Sequence, residues 1–180
     1  GSGGFLLYAL NKVRDKATEI YPNYKTDTRQ YKHWFSYWHD FAEKNLYGIE
    51  ISEQISRAAK MNMIMHGDGH GGVHHNDGLL NVNGIFENRF DIILTNPPFG
   101  SRVEKSLKIT EADKYTDADR IAKYRERYGK AYDEALKQIN DNIDKPLLDL
   151  YDTGSMSTLT EVLFIERCLN LLKAGGRMGI

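Results

Sequence analysis

The chain has 180 residues, of which 41% are hydrophobic and 27% are charged, and its formal net charge is −1. This length suits one domain with a substantial core, and the apolar runs are too short to cross a bilayer. The single cysteine, Cys168, excludes an intramolecular disulfide and fits a reducing compartment. The near-neutral charge disfavours a stand-alone nucleic-acid binder, which would carry a basic surplus.

The chain opens with a glycine-rich stretch, Gly1-Ser2-Gly3-Gly4, followed by a predicted helix from Phe5 to about Thr18. A glycine-rich turn that opens a helix can hold an anion or a carboxylate, because the first helical N–H groups point toward it. A flexible N-terminus explains the same residues, and without a preceding strand the motif alone is weak. The pair Gly1-Ser2 is also compatible with a cloning remnant.

After a loop at 21–28, an aromatic helix is predicted from Arg29 to about Lys44. Its aromatic residues recur at helical spacing, and we interpret them as core or interface residues in preference to a stacking platform for bases. They are Tyr31, Trp34, Phe35, Trp38 and Phe41.

A short strand from Leu46 is predicted to end at the carboxylate of Glu50. A carboxylate at the C-terminal edge of a parallel strand can accept both hydroxyls of a ribose. Alternatively, Glu50 is a charge near the N-terminus of the next helix, for which Ser52 has the character of an N-cap. That helix is predicted to run to about Met65, with its methionines filling the core.

Residues 66–77 contain four histidines and two aspartates within a glycine-rich run. Zinc sites usually use ligands fixed by secondary structure, often with cysteine. We therefore predict no metal site here. The sequence Asn76-Asp77-Gly78 is also a good turn.

The segment from Phe90 to Thr95 is apolar and β-branched, which predicts a short buried strand. It leads into a polar corner, Asn96-Pro97-Pro98-Phe99. The prolines fix their own φ and lack N–H donors, and Pro97 makes Asn96 extended. The corner therefore offers oxygen acceptors beside a flat apolar ring, an arrangement that suits a planar exocyclic amine such as that of a nucleobase.

Residues 100–159 form a long excursion, with apolar residues at three- or four-residue steps after Ile121. This pattern predicts one long helix or a pair broken at Gly129, ended by Pro146. We interpret the segment as a lid or as a region that orders on binding, with 152–155 as its return hinge.

A final helix is predicted to begin at a capping-box pattern, Thr158-Leu159-Thr160-Glu161, and to end at Gly175-Gly176. Its one sulfhydryl, Cys168, lies among apolar residues, so we assign it to the core.

The corner tetrapeptide resembles the catalytic motif of S-adenosylmethionine-dependent amino-methyltransferases. With its companions, in order along the chain, it resembles the DNA adenine-N6 methyltransferase (modification) subunit of type I restriction systems. The companions are Gly1 through Leu6, Tyr47 through Glu50, Ala58 through Met63, His66-Gly67 and Asn76 through Leu79.

This resemblance implies an α/β, Rossmann-like S-adenosylmethionine-dependent methyltransferase fold, a mostly parallel sheet flanked by helices. Residues 1–180 would be one partial catalytic domain, truncated at both ends, with a helical insertion at about 101–156. The first strand of the sheet and half of the cofactor loop are expected to be missing.

The resemblance also implies roles for named residues. The glycine segment would hold the methionine part of S-adenosylmethionine, Glu50 the ribose, and Ile51 the adenine ring. Asp77 would accept the adenine amine in a pocket lined by its neighbours, and the corner would hold the target amine. The cofactor residues are then Gly1, Ser2, Gly3, Gly4, Phe5, Glu50, Ile51, Asp77, Gly78, Leu79 and Asn96, and the catalytic residues Asn96, Pro97, Pro98 and Phe99.

The implied activity is methylation of a flipped adenine in double-stranded DNA, in the cytoplasm of a bacterium or archaeon. The implied partners are the specificity and restriction subunits of a type I complex, with no membrane. The fragment alone is expected to be inactive. Two alternatives remain: an amino-methyltransferase acting on ribosomal RNA or a protein glutamine, and a non-enzymatic assembly module.

Overall fold

The computed structural model describes residues 1–67 and 72–180, and it divides into two compact units, residues 1–78 and 79–180. Both units combine helices with a two-stranded parallel sheet. The first contains α1 (Gly4–Ile20), α2 (Thr28–Asn45), β1 (Gly48–Glu50), α3 (Glu53–Met65) and β2 (Val73–His75). The second contains β3 (Phe90–Leu94), α4 (Ala118–Tyr128), α5 (Lys130–Asn140), α6 (Thr160–Leu171) and β4 (Leu172–Gly179).

Local capping signals set two helix starts in the first unit. The carboxylate of Asp27 accepts from the N–H groups of Arg29 and Gln30 at 2.8 and 3.2 Å. The predicted N-cap Ser52 accepts from the N–H of Ile55 at 3.4 Å, and α3 starts at Glu53. These bonds satisfy first-turn donors that have no partner within the helix.

The aromatic helix α2 packs against α1, and the prediction of a core role is confirmed for Trp38, which is only 3% exposed. Trp34 is tied to α1 by a 3.1 Å bond from its Nε1 to the Thr18 hydroxyl, and it stacks on Tyr24. The core role does not extend to the whole stripe, because three of its rings are between 37% and 49% exposed. These are Tyr31, Phe35 and Phe41.

Helix α3 buries only a narrow stripe of side chains. Ser56, Ala59 and Met63 are buried, and Ile55 is 43% exposed. Met61 and Met65 lie on the solvent side, so the expectation that the methionines fill the core holds only for Met63.

The core of the second unit is built largely from the excursion. Residues from 109 to 151 pack with Leu79, Leu80 and Leu163 in one buried cluster: Ile109, Ile139, Leu147, Leu148 and Tyr151. Gly129, with φ +58, separates α4 from α5, as the broken-pair prediction required. The excursion therefore supplies much of the core of this unit, and its interpretation as a lid stays a prediction.

A buried arginine on α6 binds the segment that precedes β3. The Arg167 guanidinium donates to the Asn81 side-chain oxygen at 2.7 Å, the Leu80 carbonyl at 2.9 Å and the Glu87 carboxylate at 3.3 Å. Asn81 also donates to Gln138 of α5 at 2.5 Å. A buried charge needs such partners, because an unpaired one costs several kcal/mol. Its neighbour Cys168 is buried as predicted, and burial raises the pKa of its thiol.

The second sheet corrects two predictions. The last helix does not reach Gly175-Gly176: it ends at Leu171, and β4 begins at Leu172, which pairs with Phe90. Sheet pairing overrides the glycine stop signal, and Gly175, with φ +81, lies where β4 departs from regular register.

Strand β3 is also less buried than its apolar sequence predicted. Ile92 is 58% exposed and Leu94 is 50% exposed. The largest buried cluster of this unit draws on other segments, and among the described residues β3 pairs only with β4. In the described part of the chain, no helix is long and apolar enough to cross a membrane.

Candidate functional site

The residues predicted to form the site fall on both units. Those from Gly1 to Gly78 belong to the first unit, and Leu79 with the corner at 96–99 belongs to the second. Within the first unit, the structure brings the glycine segment and Glu50 together.

The strand ends of the first unit carry Glu50 and lead to Asp77. Strands β1 and β2 are parallel and in register, with Glu50 opposite His75. The N–H of Asn76 donates to the Glu50 carbonyl at 3.2 Å, so pairing continues just beyond β2. Because the two parallel strands end at the same edge of their sheet, Asp77 comes just after the strand that neighbours Glu50.

The Glu50 side chain is 15% exposed and ionised. Burial raises the pKa of this carboxyl, and hydrogen bonds, among them the one from the N–H of Ser52, lower it. Oε1 accepts from Ser52 N at 2.8 Å, and Oε2 contacts the Gly1 ammonium. The carboxylate thus lies both at a strand end and beside the start of α3, so the two interpretations of Glu50 describe one position.

The glycine segment forms the N-terminus of α1. Gly3 is the N-cap residue in the left-handed region, with φ +90, and its carbonyl accepts from Leu7 at 2.9 Å. In the described part of the chain, no side chain caps this helix N-terminus. A left-handed glycine followed by open helical N–H groups is a geometry that receives anions.

Ile51 and Asp77 are placed by short local contacts. The Ile51 side chain is 67% exposed, while its carbonyl lies 3.0 Å from His75 Nε2. Asp77 is half-buried, and its N–H donates to the Asn76 side-chain oxygen at 2.8 Å, a turn-type contact. Gly78 is likewise half-buried.

Leu79 differs from its predicted neighbours. Its side chain is only 2% exposed and packs in the core of the second unit, and its carbonyl accepts from the Tyr151 hydroxyl. Any contact of Leu79 with a ligand is therefore through its main chain or through the shape that its packing imposes.

The corner follows β3 directly. Thr95 N–H donates to Gly179 at 3.0 Å, which extends the sheet to the residue before Asn96. Asn96 and Pro98 are exposed, Pro97 is buried, and Phe99 is 77% exposed. A buried proline between exposed residues anchors the corner, so the Asn96 amide and the Phe99 ring are presented outward.

Glu161 bonds to the residue that follows the corner instead of capping α6. Its Oε1 accepts from Gly100 N–H at 3.2 Å, and α6 begins with no side-chain cap from the described residues. The predicted capping box is therefore wrong, because its glutamate is bonded to the residue after Phe99.

The histidine-rich run lies partly outside the described residues, since residues 68–71 are not described. Elsewhere, no group of three or more metal-type side chains is close enough to hold an ion. His74 is buried in β2, and His66 Nδ1 lies 2.8 Å from the Asn62 carbonyl. The prediction that no metal binds stays a prediction.

Three contacts near the site were not predicted from the sequence. Asn62 bonds to the glycine segment, His75 to Ile51, and Glu161 to Gly100. The sequence placed Asn62 in the ordered motifs, His75 in the histidine-rich run and Glu161 in a capping box, but each contact joins segments distant in sequence.

Comparison with known proteins gives the family. A family model described as N-6 DNA Methylase matches residues 1–131. The methylase subunit of the type I restriction enzyme EcoEI from Escherichia coli is 28% identical over 109 residues, 60% of this chain and 19% of that protein. The type II restriction enzyme and methyltransferase RM.BcgI from Heyndrickxia coagulans is 32% identical over 101 residues, 55% of this chain and 13% of that protein.

The matched stretch is thus a small part of either relative, and no solved structure matches the chain. The family model covers well over half of the chain, from the glycine segment through the corner into α5. The chain therefore belongs to the N-6 DNA methylase family.

Proposed function

We propose that the protein transfers a methyl group from S-adenosylmethionine to the exocyclic N6 amine of adenine in DNA, within the modification subunit of a type I restriction-modification system. The observation that carries this proposal is the Asn96-Pro97-Pro98-Phe99 corner, which follows a parallel strand and presents Asn96 and Phe99 outward in a chain of this family.

The first unit has features that suit the proposed cofactor. S-adenosylmethionine carries a carboxylate, a ribose diol and a flat adenine ring, and it supplies an electrophilic methyl group on a sulfonium. The open N-terminus of α1 suits the carboxylate, ionised Glu50 suits the diol, and exposed Ile51 suits the ring face. We assign the adenine amine to Asp77, beside Gly78 and Leu79.

At the corner, catalysis would depend on two fixed acceptors. The lone pair of an aromatic amine is delocalised into its ring, so the nitrogen is a weak nucleophile. The Asn96 side-chain oxygen and the Pro97 carbonyl would accept its two hydrogens and stabilise the positive charge that develops as the new N–C bond forms and the S–C bond breaks. The nitrogen then loses one proton. Proline rigidity reduces the reorganisation needed at reaction.

The target adenine must leave the duplex before its amine can reach the corner. Phe99, which is 77% exposed, would stack on the extruded base. The net charge of −1 leaves most phosphate binding to other parts of the complex. We therefore expect a specificity subunit to hold the DNA and a restriction subunit to share the assembly.

In this proposal the two units are parts of one Rossmann-like domain, and residues 101–156 are its helical insertion. Because the matched stretch is a small part of the relatives, the 180-residue chain alone is expected to bind the cofactor weakly and to be inactive.

The experiment is transfer of labelled methyl groups by the complete enzyme to unmethylated DNA, to ribosomal RNA and to protein. We expect label in DNA, on adenine N6, identified after digestion to nucleosides. Label in RNA or protein but not in DNA would overturn the choice of substrate.

A second assignment has support from the type II relative, whose name combines restriction and methylation. It keeps the reaction and changes the system. Incubating the complete protein, without added subunits, with unmethylated DNA separates the two: cleavage favours the type II assignment, and methylation dependent on a separate specificity subunit favours type I.

A further inference from the structure

Helix α3 meets the glycine segment through one polar side chain. Asn62 Nδ2 donates to the Ser2 carbonyl at 2.9 Å, although 60 residues separate them. One turn earlier, Ala59 lies beneath Gly3, where a Cβ added to Gly3 would be 3.5 Å from the Ala59 Cβ. Residues three apart share a helix face, so Ala59 supports the segment by packing while Asn62 fixes it by a directed bond.

On its other side, the glycine segment contacts the carboxylate of Glu50, the proposed ribose ligand. The Gly1 ammonium contacts Glu50, and Ser2, the next residue, is the one that Asn62 holds. Gly3 then turns the chain into α1 in the left-handed region. The Asn62 bond therefore lies between Glu50, the proposed ligand of the ribose, and the open N-terminus of α1.

Asn62 is itself held on a rigid turn. Its carbonyl accepts from the His66 main-chain N–H at 3.1 Å and from His66 Nδ1 at 2.8 Å. Arg14 of α1 contacts the His66 carbonyl, and its guanidinium lies 4.0 Å from the centre of the buried Trp38 ring. Gly67, with φ +85, fits against Arg14 and Trp38 so closely that a Cβ would lie 3.0 and 3.2 Å from them. Helices α1 and α2 thus fix the end of α3.

We propose that Asn62 is a positioning residue for S-adenosylmethionine: it holds the glycine segment in its ligand-receiving conformation through the Ser2 carbonyl. This rests on the proposed function of the glycine segment. An ordered segment loses less conformational freedom when the ligand binds, so affinity rises without a direct contact. Asn62 touches no reacting atom, so turnover at saturating cofactor does not depend on it.

The test uses Asn62→Ala, which removes the donor, and Asn62→Asp, which replaces it with an acceptor facing the Ser2 carbonyl. Cofactor affinity of the complete enzyme is measured by calorimetry, with kcat and the KM for S-adenosylmethionine from methyl transfer. We expect Asn62→Ala to weaken binding about five- to tenfold, the worth of one ordinary hydrogen bond, and Asn62→Asp to weaken it more, with kcat unchanged.

Asn11 provides the matched control, because it is exposed on α1 of the same unit. Asn11→Ala and Asn11→Asp make the same chemical changes away from the segment, and they should leave affinity unchanged. Thermal unfolding of all four variants separates a positioning role from a loss of folding, since a purely structural residue would lower Tm without a selective rise in KM.

Hydrogen exchange gives a readout that needs no cofactor. The Asn62 variants should exchange the amide of Leu7, which donates to the Gly3 carbonyl at 2.9 Å, faster than the parent enzyme, while the amides of α3 stay protected. If the parent enzyme binds S-adenosylmethionine and the Asn62 variants match it in affinity and exchange, the inference fails and the proposed function stands. If the parent enzyme binds no cofactor, both fail.

Discussion

Arg167 donates to Asn81 at 2.7 Å in the interior of the second unit, and each residue is 2% exposed. Arg167→Met would leave Asn81 and the Leu80 carbonyl without their donor and Glu87 without its counter-charge. We expect a loss of about 3 kcal/mol in the free energy of unfolding, because two buried acceptors lose their donor, while Glu87, whose side chain is 30% exposed, stays partly solvated. Urea unfolding followed by circular dichroism measures it.

An exposed ion pair in the same unit is the control. Lys173 lies 3.1 Å from Asp91, with side chains 50% and 79% exposed. Lys173→Met should cost less than about 1 kcal/mol, because exposed pairs contribute little. Equal effects of Arg167→Met and Lys173→Met would show that the buried network is not what stabilises this unit.

Two buried tyrosines allow a comparison of hydroxyl groups. The Tyr151 hydroxyl donates to the Leu79 carbonyl, whereas the Tyr132 hydroxyl has no hydrogen-bond partner among the described residues. Tyr151→Phe should destabilise by about 1–2 kcal/mol, and Tyr132→Phe should be neutral or stabilising, because it removes an unsatisfied polar atom. Urea midpoints at pH 7 decide, and a reversed order would contradict the assigned bond.

Glu166 predicts an acid-sensitive contact between α6 and the turn at 152–155. Partial burial would raise its pKa, but hydrogen bonds from Thr153 and Asp152 outweigh burial and hold the pKa below its ordinary value of 4.5. A lowered folded pKa gives stability that is present above pH 4.5 and is lost as pH falls through the folded pKa. Glu166→Gln should therefore be less stable than the parent at pH 7 and match it at the lowest pH.

Tm measured from pH 7 to about pH 2 shows whether the two curves converge. The control is Glu126→Gln on the exposed side of α4, which should follow the parent curve throughout. A constant difference in Tm between Glu166→Gln and the parent would mean that the bonds from Asp152 and Thr153 do not depend on the charge of Glu166.

Replacement by alanine should destabilise the protein by different amounts at two glycines. A Cβ on Gly72 would overlap the Leu46 carbonyl oxygen, which lies beside the paired start of β1. Gly100, with φ +69, has nothing within 4 Å, so alanine there meets only backbone strain. We expect about 3 kcal/mol for Gly72→Ala from overpacking and about 1 kcal/mol for Gly100→Ala. Chemical denaturation of both variants would reveal a reversed order.

Asn96→Ala tests the corner. Removing one acceptor for the developing charge should lower kcat by about 10²–10³-fold, with a much smaller effect on cofactor affinity. Methyl transfer to DNA and calorimetry with S-adenosylmethionine measure the two quantities. The exposed Asn11 of α1 serves as control through Asn11→Ala. Retained turnover in Asn96→Ala would refute the assigned role.

Two local sequence signals predicted the local structure correctly. Ser52 caps α3 and Gly129 divides the excursion, because a hydroxyl at a helix start and a glycine inside a helical pattern act on their immediate neighbours. The strand that ends at Glu50 also followed from the sequence.

Contacts between distant segments could not be predicted in the same way. Asn62 and Ser2 are 60 residues apart, and Arg167 and Asn81 are 86 apart. Nothing in the neighbours of Arg167 shows that its charge is buried, because a helical arginine is usually solvated. Likewise, Leu172 starts a strand because it pairs with Phe90. The glycines that follow it predict only the end of a helix, so the sequence does not indicate this pairing.

The junction of α6 and β4 places a helix and a strand end to end. Leu171 is the last helical residue and Leu172 the first of the strand. Just after the junction, β4 advances five residues, from Leu172 to Arg177, while its partner β3 advances two. Arg167 fixes α6 one turn before the junction, so this irregular stretch of β4 is where the unit should tolerate a change in length without moving the strand that precedes the corner.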